Sequence, residues 1–166
     1  MVVRPALQPE LALSLDVRVD KTTKSRHYDL TLTKAAQSIW QSMPENGGSG
    51  SPVVVDRFEV EIEADLARMI LRIWRQMLIL TRSESQSATI VLDSTDIEFS
   101  TVLDDGRRLI AQLPDDGGEK TDALAAIGYA LVGYCEAPAI EKAKRVHDIR
   151  VRVEKLSRQL QRHGNP

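Results

Sequence analysis

Leu11, Leu13, Leu15, Val17 and Val19 alternate with Ala12, Ser14, Asp16 and Arg18, so residues 11–19 read as a strand with one buried face. After the polar stretch KTTKSR, Tyr28, Leu30 and Leu32 again take every second position. The two runs predict an antiparallel hairpin whose tip carries Lys21, Lys24 and Arg26. Thr33 is placed to cap a short helix in which Ile39, Trp40 and Met43 share a side, and Pro44 ends it. Strand alternation returns at 53–63, with Phe58, Val60 and Ile62 set against Arg57, Glu59, Glu61 and Glu63.

The period then changes to that of a helix. Over residues 64–81, Leu66, Met69, Ile70, Ile73, Met77 and Leu80 fall on one arc, Ala67, Leu71, Trp74 and Leu78 widen it, and Arg68, Arg72 and Arg75 form the charged strip. An apolar arc of roughly 200° is wider than one buried face requires, so this helix is expected between the sheet and another helix. Residues 87–113 predict a three-strand meander (SATIVLD, DIEFSTVL, RRLIAQL) with Asp104-Asp105-Gly106 as its second turn. Thr121 or Asp122 caps a helix reaching about Cys135, and Pro138 separates it from a last helix over about 139–162. The order ββα, loop, βαβββαα predicts an α+β fold: a mostly antiparallel sheet of about six strands covered on one face by three longer helices.

Residues 44–52, PENGGSGSP, have the composition of a flexible surface linker. The residues before it, about 43 in number, are too few for a core of their own, so the N-terminal ββα segment is expected to dock on the βαβββαα remainder, making 1–166 a single domain.

The last two helices carry the most distinctive patterns. Residues 123–135 contain no charge. Ala123, Ala126, Ala130 and Gly133 make a small-residue strip, and Leu124, Ile127, Leu131 and Tyr134 suit the sheet. The face near Tyr129 and Val132 is left as a candidate interface with a second copy or a partner. In the final helix Val146, Ile149, Val153, Leu156 and Leu160 recur at heptad spacing. Lys144, Lys155, Arg158 and Arg162 fall within about 60° of arc opposite, a basic ridge that could meet phosphate or an acidic partner.

Composition narrows the functional classes. With 166 residues, 42% hydrophobic, the chain can bury one ordinary core. A net charge of −2 removes the whole-protein electrostatic case for nucleic acid, leaving only local binding. The charge is uneven: residues 1–82 carry 11 bases and 10 acids, 83–139 carry 3 and 11, and 140–166 carry 8 and 3. One cysteine, Cys135, excludes an intramolecular disulfide and a thiolate zinc site. The N-terminal stretch reads as neither secretion signal nor transit peptide, and no run approaches a membrane span, so a cytoplasmic protein is expected.

Catalytic patterns are weak. Asp93, Asp96, Glu98, Asp104 and Asp105 could offer oxygen ligands to a metal, but their scatter fits turns and strand ends better. A nucleophilic pair would have to be assembled from Cys135 and His147, and no nucleotide-, phosphate- or zinc-binding motif is present. The sequence therefore favours a small non-catalytic accessory or adaptor protein of bacterial type, without cofactor or metal. It would associate through its C-terminal helices with itself or another protein. A nucleic-acid binder using the basic ridge and an enzyme with an acidic metal site at 93–105 are the alternatives.

Overall fold

Strand alternation over 11–19 and 26–35 supplies one apolar and one polar face, and the antiparallel register keeps them aligned. In a computed structural model describing residues 1–5, 8–42, 50, 52–81, 95–103, 106–113 and 118–162, the elements run β1 (Val2–Arg4), β2 (Leu11–Val19), β3 (Arg26–Ala35), α1 (Ile39–Ser42), β4 (Val55–Glu61), α2 (Ala64–Thr81), β5 (Asp96–Val102), β6 (Arg108–Leu113), α3 (Gly118–Glu136) and α4 (Ala139–Arg162). The sheet is antiparallel, in the order β4-β3-β2-β1-β5-β6. The α+β class and the three covering helices are as the sequence predicts.

Register sorts the side chains. Leu13 opposes Leu32, Leu15 opposes Leu30, Leu30 and Leu32 oppose Val60 and Phe58, and Val3 opposes both Leu11 and Ile97. All of these lie on the helix-covered face. The other face is a polar mosaic, as a one-sided antiparallel sheet requires. It holds Arg18 with Asp29 at 3.1 Å, Arg57 with Glu59 at 2.6 Å, and Glu98 between Arg4 at 3.4 Å and Arg108 at 3.9 Å. Pairing of β3 with β4 spans the predicted linker. Of the linker itself, 44–49 and 51 lie outside the described residues.

Three local expectations change. Strand β1, only three residues long, was not predicted, yet it stands between β2 and β5 and joins the two halves of the sheet. Thr33 does not cap α1: it pairs with Ala12 and Arg57 inside the sheet, and α1 begins at Ile39, whose N–H donates to the Glu10 carboxylate at 2.8 Å. Helix α3 starts at Gly118, so Thr121 sits in its first turn and donates its hydroxyl to the Gly118 carbonyl at 2.7 Å. The predicted strand at 87–93, the Asp104-Asp105 turn, Met43 and the side chain of Trp40 lie outside the described residues.

The helices form two tiers. Helix α2 packs on β3, β5 and β6, α3 packs on β3 and β4, and α4 lies on α3 and α2. This covers the wide apolar arc of α2 on both sides up to Leu78, while Leu80 at its end, Arg68, Arg72 and Arg75 stay exposed. Trp74 meets Phe99 edge to face at 5.5 Å, pinning α2 over β5. On α4, Ile149, Val153, Leu156 and Leu160 are buried and Val146 is half-buried, so the heptad stripe is the seam. We expect Leu156→Ala to cost about 2–5 kcal/mol of unfolding free energy by urea denaturation, as for other buried leucines. Lys155→Ala, one residue away on the exposed face, should stay within about 0.5 kcal/mol.

Candidate functional site

Helix α3 hides most of its surface inside the chain. Leu124, Ile127 and Leu131 are fully buried, and Val132 is nearly so, at 8% exposure. Of the candidate interface pair, Tyr129 is 44% exposed and Val132 is turned inward. The two residues differ by about 60° around the helix, enough at this boundary to turn one inward. Gly128 sets the direction. A Cβ there would overlap the Met1 sulfur and come within 3.5 Å of Phe99, so the bare backbone lets this side of the helix settle on the sheet, and Val132 lies one turn further along it.

What remains is a shallow open groove of about 420 Å³ between α3 and α4, lined by Ala126, Tyr129, Ala130, Arg145, Asp148 and Arg152. Small residues of α3 form its floor and charged residues of α4 one wall. Gly133 lies under the wall: a Cβ at that position would lie 2.9 Å from Arg145 Nη1, the mobile end of that side chain. Arg145 is steadied by Glu141 at 3.1 Å, whereas Arg152 has no acidic partner among the described residues. Nearby, Lys142 sits 5.4 Å from the Tyr134 ring centre, and the Tyr134 hydroxyl donates to the Glu61 carbonyl at 3.1 Å, tying α3 to β4.

The proposed basic ridge is partly assembled. Lys144 and Lys155 are exposed, Arg158 is exposed and paired with Glu154 at 3.3 Å, and the side chain of Arg162 lies outside the described residues. Asp148 and Val151 are exposed on α4 as well, so acidic and apolar groups interrupt the ridge.

On the sheet the structure brings together groups the sequence kept apart. His27 Nδ1 lies 2.9 Å from Glu61 Oε1, and its Nε2 lies 3.1 Å from Ser25 Oγ. This is the outline of an acid–imidazole–hydroxyl relay. The N–H groups of the β2–β3 turn beside it are already engaged: Thr22 and Thr23 N–H both donate to Asp20 Oδ1 at 2.7 Å, Lys24 N–H to the Asp20 carbonyl, and Ser25 N–H to Thr23 Oγ1. The string instead fixes the hairpin tip and joins it to β4. Its signal lay in Ser25 and His27 sharing one face, but Glu61 enters only through the β3–β4 register.

The acidic residues at 93–105 do not converge. Asp93, Asp104 and Asp105 lie outside the described residues, Asp96 is exposed at a strand end, and Glu98 faces Arg4 and Arg108. Among the described residues no group of three possible ligands forms. Also among them, no helix is long and apolar enough to cross a membrane. Cys135 is buried and His147 exposed, and burial pushes the Cys135 thiol up to about 11, away from the thiolate a nucleophile needs. Compared with known proteins, the chain matches no family model, no curated protein and no solved structure.

A raised thiol pKa predicts inertness. Cys135 in the native protein should alkylate with iodoacetamide at pH 8 about a hundredfold more slowly than in urea, because both the thiolate fraction and access are reduced. Equal rates, followed by mass spectrometry, would place the thiol outside the core.

Proposed function

We infer that the protein is a non-catalytic binding module of the accessory or adaptor kind that engages a partner protein through the outer face of α3 and α4. The observation that carries this reading is Tyr129, 44% exposed in a groove whose floor is alanine and whose wall holds Arg145, Asp148 and Arg152. Tyrosine and arginine are among the residues in which interface hot spots are enriched, and Arg152 has no acidic partner among the described residues. The occupant that suits it is a protein segment presenting one apolar knob to the alanine floor and a carboxylate to Arg152. Burial of Val132 makes self-association through α3 the weaker form of the reading, since half of the expected apolar patch is spent on the core. The interrupted ridge on α4 favours a protein over nucleic acid for the same reason: Asp148 and Glu154 sit among its cations.

A photo-crosslinking residue replacing Tyr129, introduced in native cells, should give one discrete adduct. The same residue replacing Ile110, 56% exposed on β6, should give none. With the captured protein purified, Tyr129→Ala and Arg152→Glu should each weaken the complex about tenfold or more by calorimetry, with the fold intact by circular dichroism. Adducts of equal yield at both positions, or binding that ignores both substitutions, would remove the groove from the account. A crosslink to nucleic acid would replace it with the alternative reading.

A further inference from the structure

Strand β4 is an edge of the sheet, and its backbone parity is defined. Ile62 N–H donates to the Tyr28 carbonyl and Ala36 N–H to the Val54 carbonyl, so even-numbered residues of β4 bond to β3 and odd-numbered ones turn their N–H and C=O outward. Val55, Arg57, Glu59 and Glu61 thus present the free edge. Among the described residues, the backbone of Arg57 and Glu59 has no partner on that side, and the side chains are 64% and 62% exposed.

We propose that β4 pairs with β4 of a second copy of this chain, antiparallel about a two-fold axis at Phe58, joining the two sheets into one.

Charge selects both the occupant and the register. An antiparallel two-fold pair centred on Phe58 sets Arg57 opposite the partner's Glu59 and Glu59 opposite the partner's Arg57. These positions are also the ones whose outward backbone groups then bond. The neighbouring registers are worse matched: centred on Arg57 two arginines oppose, centred on residue 60 Glu59 opposes Glu61 twice, and centred on Glu59 two glutamates oppose while its two Arg57–Glu61 rungs would need the Glu61 carbonyl, which already accepts from the Tyr134 hydroxyl. A charged edge repels most strands, which is how exposed edges avoid aggregation. This edge is complementary to itself in one alignment. On the helix-covered face the same register places the two half-buried Phe58 rings side by side at a close, non-hydrogen-bonded pair. At the far end the Glu61 carbonyl already accepts from the Tyr134 hydroxyl, which limits the pair to these central rungs. The surface is separate from the α3–α4 groove, so this proposal does not depend on the function argued above.

Sedimentation velocity on the full chain over 1–100 µM in moderate salt tests it. The unaltered protein should dimerise, and Arg57→Glu and Glu59→Arg should each weaken the dimer at least tenfold while leaving circular dichroism unchanged. An equimolar mixture of the two single variants should dimerise again, because each reversed charge meets its opposite across the axis. The double variant carrying both changes should dimerise alone. A monomer at 100 µM, a dimer that survives either single change, or single variants that fail to recombine would overturn it.

Discussion

Thirteen consecutive uncharged residues in α3 have to be hidden from water, and the arrangement of every other element follows from where they are hidden. A single antiparallel sheet offers one apolar face, which can cover only one side of a helix. The second side is covered by α4, whose buried stripe lies on α3 and α2. Gly128 then allows α3 to settle until Met1 and Phe99 meet its backbone, and Gly133 lies under Arg145 of α4 on the other flank. Gly128 acts by close approach, which a helix propensity scale records only as a cost. The residue left over is Tyr129.

Much of this architecture was legible because period is a local property. Two-residue alternation located β2, β3 and β4, and the 3.6-residue arcs of α2 and α4 gave their bounds as well as the wide cover of the first and the narrow seam of the second. Non-local pairing was not legible. Strand β1 has three residues, too short for alternation to register, and the sheet order depends on it. Thr33 looked like a cap because a threonine near a helix start often is one, but its register against Ala12 and Arg57 keeps it in the sheet. In α3 no charged face sets the rotation, so sequence pattern could not separate Val132 from Tyr129. The link from Glu61 to His27 and Ser25 joins strands separated by more than thirty positions in sequence.

The same economy of cover divides the surface into regions of different character. The open face of the sheet neutralises its own charges, Glu98 between two arginines and Arg18 against Asp29, so little of it is left to attract a charged ligand. The basic end of the chain is tied back by two contacts: Gln159 of α4 donates to Glu119 at the start of α3, and Arg150 meets Glu63 ahead of α2 at 2.8 Å. Arg152, which has no acidic partner among the described residues, and the outward backbone of the β4 edge, unpaired among the same residues at Arg57 and Glu59, leave the surface the capacity to recognise something else. The groove and the edge have opposite chemistries, side-chain capture in one and backbone pairing in the other.

The central claim is that α3 is covered by its own chain on every side except the strip at Tyr129. Site-directed labelling in a Cys135→Ser background tests it most directly, with single cysteines at 129 or 132 and a thiol reagent applied at nanomolar protein, where weak self-association does not persist. The account predicts that a cysteine replacing Tyr129 reacts nearly as fast as in urea, and that one replacing Val132 reacts at least about a hundredfold more slowly. Similar rates at the two positions would show that Val132 is covered only by another molecule, and would contradict the placement of α3.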